Sequence, residues 1–164
     1  MDVLKCVSNS PEKTLALGES IAPALWPGAV VSLEGDLGAG KTVFVKGVAR
    51  GLGIDPATVM SPTFSLLNEY QAPTPLFHFD AYRITRPEEW EDIGYEDYFR
   101  GQGISIVEWG NLIQQYLPRA YLKITIDRGL QPNERIIVFH DEGGGYSGVL
   151  ARLQREMQSG DFRD

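Results

Sequence analysis

The chain has 164 residues, 43% hydrophobic and 23% charged, a globular composition with enough apolar side chain for one core-forming domain. No apolar run approaches the length needed to cross a bilayer, and the opening MDVLKCVSNSPEK has no signal-peptide core. Acids outnumber Lys and Arg by 22 to 15, and the net charge of −7 opposes tight, direct binding of bulk nucleic acid. The single cysteine, Cys6, cannot make an internal disulfide, which suits a reducing cytosol, so a cytoplasmic location is expected.

In chain order, Leu4 to Val7 alternates as a short edge strand. Ser10-Pro11-Glu12 is a helix start, with Ser10 as cap, Pro11 in the first turn and an acid behind it. Leu15, Leu17, Ile21, Ala22 and Leu25 follow at helical spacing until Pro27-Gly28 ends the element. Val30, Val31 and Leu33 predict a buried strand, followed by a glycine-rich turn and a helix from Lys41 to Gly51. Thr58 to Phe64 is extended, because Pro62 biases Ser61 away from helix. Phe64 to Tyr70 and Leu76 to Tyr82 form two strands joined by QAPTP, and Arg86 to Arg100 is helical with a break at Gly94. Ile104 to Glu108 is a strand ending in a carboxylate, and Asn111 to Tyr116 is a short helix stopped by Pro118. Tyr121 to Ile126 and Arg135 to Phe139 are strands around a turn, and Val149 to Met157 is a closing helix. One domain over 1–157 is expected, with a flexible tail at 158–164.

The stretch around which this order is organised runs from Gly35 to Thr42, GDLGAGKT, and fits G-x-x-x-x-G-K-[ST] between a strand and a helix. Its glycines permit backbone conformations in which successive N–H groups face phosphate oxygens, and the following helix adds its positive end. The expected nucleotide cradle is Asp36, Leu37, Gly38, Ala39, Gly40, Lys41, Thr42 and Val43. Lys41 reaches the terminal phosphates, and the Thr42 hydroxyl ligates Mg²⁺. The expected cofactors are therefore ATP and Mg²⁺. The fold class that follows is α/β: a three-layer P-loop NTPase fold with a mixed, mostly parallel central sheet, mixed because two hairpins interrupt the parallel pattern.

A phosphate loop also needs an acid from a second strand. Asp80 ends LFHFD and Glu108 ends ISIVE. Glu108 follows the more continuously apolar strand, so it is assigned to the metal side, with Asp80 orienting water; both, with Lys41, are the candidate catalytic residues. Arg83 and Arg86 are either phosphate partners or solvated charges, and His78 and His140 are expected to be structural. Trp90, Tyr95, Tyr98 and Phe99 are either core or a docking face for a partner. The stretch FHDEGG is expected to be a turn, and no guanine-reading N-K-x-D occurs.

Four motifs in this order, GDLGAGKT, SPTF at Ser61 to Phe64, HFDAYR at His78 to Arg83 and VEWG at Val107 to Gly110, resemble those of the TsaE (YjeE) family over most of the chain. These are small P-loop ATPases required for threonylcarbamoyladenosine formation next to the anticodon of tRNAs reading codons that begin with adenine. Val43 departs from the family's usual second threonine, and the chain beyond about Gly143 carries no family motif. The resemblance implies that Lys41 and Thr42 bind phosphate and Mg²⁺, that Glu108 joins the metal shell and that Asp80 assists hydrolysis. It also implies that Ser61-Pro62-Thr63 responds to the γ-phosphate and that Trp109 lies beside the nucleotide. The implied partners are TsaD and TsaB, whose complex the ATPase cycle resets, with tRNA met only through them and no membrane. A small-molecule P-loop kinase and a GTP-dependent switch are the alternatives, opposed by the lack of an arginine-dense lid and of N-K-x-D respectively.

Overall fold

The computed structural model describes residues 2–36, 38–62 and 65–160. Leu37 of the expected cradle, Thr63 and Phe64 of the expected switch, and 161–164 of the expected tail lie outside them. The strands are β1 (Val3–Ser8), β2 (Val30–Glu34), β3 (Leu67–Tyr70), β4 (Leu76–Asp80), β5 (Ile104–Glu108), β6 (Tyr121–Arg128) and β7 (Arg135–Glu142). The α-helices are α1 (Pro11–Ile21), α2 (Lys41–Gly51), α3 (Pro87–Asp92), α4 (Tyr95–Phe99) and α5 (Ser147–Ser159).

Local signals account for most of these bounds. Ser10 caps α1 by accepting a hydrogen bond from Lys13 N at 3.1 Å. Gly94, with φ of 77°, separates α3 from α4. Several expected bounds needed adjustment. β4 ends at Asp80 rather than Tyr82, because the Tyr82 N–H turns back to Asp80 Oδ1 at 2.9 Å. Gly110–Tyr116 is a 3₁₀-helix. The strand β7 runs on through Glu142, so the turn expected at FHDEGG begins only at Gly143. The closing helix α5 extends to Ser159, two residues beyond its expected end.

The sheet has the order β1-β7-β6-β2-β5-β4-β3. β6, β2, β5 and β4 are mutually parallel, while β7 and β3 run the other way in two antiparallel hairpins. The phosphate-loop strand β2 therefore sits at the centre. From β2 the chain skips one position to β4 and then returns to β5 between them. Right-handed crossovers in opposite directions must place their helices on opposite faces. Accordingly α2 packs on one face, with Phe44, Val48 and α1's Leu17 against Val31, Leu33 and Ile106. The helices α3 and α4 pack on the other, with Trp90 and Phe99 against Phe79, Val107 and Val30.

That second core settles the aromatic segment. Trp90 is fully buried, and Tyr95 and Tyr98 are partly buried against it, while Glu88, Glu91, Asp92, Glu96 and Asp97 face solvent. The Phe79 ring packs at 5.2 Å from Trp90 and edge-on to Tyr98 and Phe99. These rings are core, not a docking face.

The helices α1 and α2 form the most extensive helix pair, and they approach through glycine. A Cβ on Gly47 would lie 2.0 Å from Leu15 O, and one on Gly18 would lie 2.4 Å from Phe44 O. Gly47→Ala should therefore destabilise the fold by roughly 1–3 kcal/mol, through overpacking against backbone. Gly148→Ala, at an exposed position of α5 with no atom near the added methyl, should be neutral or stabilising by up to about 1 kcal/mol. Urea unfolding of the two variants checks both signs.

Candidate nucleotide site

Three parallel strands end in one row. Leu33 is the register partner of Glu108, and Glu108 is the partner of Asp80. The ladder continues one step further, with Trp109 N–H donating to Leu33 O at 2.8 Å and Ala81 N–H to Glu108 O at 3.0 Å. Strand alternation then turns His78, Asp80 and Glu108 to the α2 side, opposite Phe77, Phe79 and Val107.

The loop that follows β2 is shaped by its neighbours. Gly35 has φ of 148°, and a Cβ there would lie 2.2 Å from Ile126 O of β6, so the close approach itself requires glycine. Gly40, with φ of 109°, is the N-cap of α2 and offers no capping side chain. The first helical bond runs from Phe44 N–H to Gly40 O at 3.1 Å. The amides of Lys41, Thr42 and Val43 therefore precede any helical carbonyl partner, which makes this end a ready anion site.

Lys41 is almost fully buried and its Nζ donates to Gly35 O at 2.5 Å and Asp36 O at 2.8 Å. The same ammonium lies 4.3 Å from the Trp109 ring centroid. Burial lowers its pKa, against the opposing charges of Glu108, Asp36 and Asp80. Trp109 itself has φ of 62°, a left-handed backbone that is strained for a bulky residue, and its ring meets Tyr82 at 4.9 Å. Asp80 is partly buried, and burial pushes its carboxyl above the usual carboxylate range; the Tyr82 N–H works against that shift and the Glu108 charge adds to it. Glu108 is 4% exposed and its Oε2 lies 2.5 Å from His78 Nε2. The Thr42 hydroxyl is 3.0 Å from the Ser61 hydroxyl.

These groups surround one cavity of about 400 Å³, lined by Gly38, Gly40, Lys41, Thr42, Val43, Ser61, Asp80, Tyr82, Glu108 and Trp109. A smaller one of about 200 Å³ lies across the loop, between Ala39, Ser10, Thr14, Asn133 and Arg135. Asp36 lines neither, and contributes its carbonyl to Lys41 and to Ala39 N–H. Thr42, Asp80 and Glu108 supply oxygen donors, the set a hard cation such as Mg²⁺ takes. Among the described residues no three His, Cys, Asp or Glu side chains could hold a metal by themselves.

Arg83 and Arg86 are exposed and line neither cavity; Arg86 faces Glu89 at 3.9 Å. His140 is partly buried in β7, paired across to Val3 and Lys123, away from both cavities. His78, expected to be structural, touches a site carboxylate. Arg135 and Tyr82 were missed: Arg135 Nε donates to Ala39 O at 2.9 Å across 96 residues of sequence, a contact that only the β6–β7 register could reveal.

A family model described as "Threonylcarbamoyl adenosine biosynthesis protein TsaE" matches residues 8–137. The chain is 45% identical over 156 residues to the tRNA threonylcarbamoyladenosine biosynthesis protein TsaE of Bacillus subtilis (strain 168), covering 94% of this chain and 96% of that protein. It is 39% identical over 135 residues to the protein of the same name from Treponema pallidum (strain Nichols), covering 82% and 99%. The crystal structure of B. subtilis YdiB superposes with a TM-score of 0.79 at 40% identity, covering 94% of this chain and 96% of that one.

The charge-assisted bond from Arg135 holds the loop from outside the main cavity. Removing it with Arg135→Ala should cost about 1.5–3 kcal/mol of stability. Amide exchange of residues 38–40 should rise more than that of α5, as hydrogen-exchange mass spectrometry would report.

Proposed function

The chain belongs to the TsaE family, and we propose that it is the ATP-binding, ATP-hydrolysing component of the machinery that forms threonylcarbamoyladenosine in tRNA. The observation that carries this reading is the single cavity on which Lys41, Thr42, Asp80, Glu108 and Trp109 converge. The relatives' names fit it rather than a small-molecule kinase or a GTP-dependent switch.

In this reading the triphosphate lies along the loop, with its oxygens on the free amides at the start of α2. Lys41 exchanges its two carbonyl partners for β- and γ-phosphate oxygens. Thr42 and Glu108 would hold Mg²⁺, which would supply positive charge to the phosphates. Asp80 accepts a hydrogen bond from the attacking water, and its raised pKa makes it a stronger base than an ordinary surface carboxylate. Water adds to the γ-phosphorus as the bond to the bridging oxygen breaks, giving ADP and phosphate. Trp109 flanks the nucleotide, and the smaller cavity beyond Ala39 offers room for the nucleoside end.

The Thr42 hydroxyl that would ligate Mg²⁺ also bonds the Ser61 hydroxyl, so metal and phosphate at the loop would bear directly on the segment that begins at Ser61. Through it the ATPase cycle would reset a complex of the family's partners, TsaD and TsaB, in the cytoplasm. Two states can differ in partner affinity only if ATP and ADP bind them differently.

Calorimetry and turnover test the site. Lys41→Ala should lose most ATP affinity. Asp80→Asn should keep ATP bound and lower turnover by about 10²–10⁴-fold. Wild-type affinity in Lys41→Ala would overturn the assignment.

Assembly tests the role. Size-exclusion runs with TsaD and TsaB should give different complex yields with ATP and with ADP, while the isolated chain, at net charge −7, should bind tRNA weakly. Identical assembly in both nucleotides would remove the switch.

A further inference from the structure

We propose that His78 is a positioning residue for Glu108, fixing the carboxylate that faces the nucleotide cavity; this rests on Glu108 serving the metal shell, as read above. His78 is completely buried in β4, and its Nε2 lies 2.5 Å from Glu108 Oε2. Its Nδ1 is buried and has no hydrogen-bond partner among the described residues. Glu108 is also buried but lines the cavity.

The geometry fixes the direction of the bond. An ionised carboxylate only accepts, so the hydrogen between the two side chains sits on Nε2, and His78 is the donor toward Glu108. Committing Oε2 to this bond leaves Oε1 as the carboxylate oxygen that can accept or ligate on the cavity side.

A second observation explains why Glu108 needs such a partner. Its register partner on β4 is Asp80, so two carboxylates stand directly opposite on adjacent strands. Like charges so placed repel. An N–H from the next inward position of β4 on the same face holds Glu108 in one rotamer against that repulsion. A buried histidine that merely fills core would not need its ring nitrogen aimed at the acid. Partners of this kind that orient a metal-side group typically change metal affinity by about 10–100-fold when removed.

Two variants separate the roles. His78→Leu keeps the bulk and removes the donor, whereas His78→Gln restores an N–H at similar reach. The readout is the Mg²⁺ concentration at half-saturation of Mg²⁺-dependent ATP binding, followed by calorimetry on the full chain, with thermal unfolding confirming that each variant folds. His78→Leu should raise it by about 10–100-fold, and His78→Gln should return it close to wild type. Equal shifts in both variants, or none in either, would overturn the proposal. If His78→Leu does not fold, the wild-type imidazole still decides: ¹⁵N NMR should find Nε2 protonated, and a bare Nε2 would refute the pairing. Glu108→Gln is measured alongside. Unchanged Mg²⁺ dependence there removes Glu108 from the metal shell, and the His78 role with it. A shift in Glu108→Gln with wild-type behaviour in His78→Leu removes only the role of His78.

Discussion

The parallel register of β2, β5 and β4 is the constraint on which the site depends. Because Leu33, Glu108 and Asp80 are successive partners, the phosphate loop and both acids leave the sheet at one level. A slip of one residue in either pairing would turn an acid to the opposite face, into the aromatic core around Trp90. Burial on both faces makes that slip prohibitive: every residue of β5 is buried, and Phe79 and Val107 are locked among α3 and α4 while Ile104 and Ile106 are locked under α2. The hydrophobic cores are thus what aims the carboxylates, and no loop has to do so.

The loop itself is held from both sides. Gly35 lies against Ile126 of β6, and Arg135 of β7 grips Ala39, so the far hairpin supplies one wall. The other wall is α1, whose glycine contact with α2 fixes the height of the helix start above the sheet. The α5 helix joins this frame through Tyr146, whose hydroxyl accepts from Val30 N–H at 3.0 Å at the root of β2. Loop shape is in this sense a product of three elements far apart in sequence.

What could be read from the sequence follows the range of the interactions concerned. The β2–loop–α2 unit and the Ser10 cap are local, and periodicity with turn chemistry found them at nearly their true bounds. Asp80 and Glu108 were legible because each ends an apolar strand. His78 was legible only as a structural histidine, because its partner lies 30 residues away and nothing local distinguishes a donor to Glu108 from a core histidine. Arg135 was invisible for the same reason. The β6–β7 hairpin outran its expected length because its ends, Asp127, Arg128 and Glu142, are polar and carry no apolar signal. The aromatics of α3 and α4 were undecidable alone, since an amphipathic helix with rings on one side looks the same whether that side meets a sheet or a partner.

The hydrogen bonds of Lys41 bear on what kind of ligand the loop admits. Its ammonium has three donors, and two already end on Gly35 O and Asp36 O, with an aromatic face beside them. A phosphate does not meet a bare charge; it competes with a neutral pair of acceptors already in place. What a ligand gains from Lys41 is only the excess of anionic over carbonyl acceptance, and that excess grows with the charge the ligand concentrates at this point. By that measure a terminal phosphate bearing two charges would gain more at Lys41 than a monoanion.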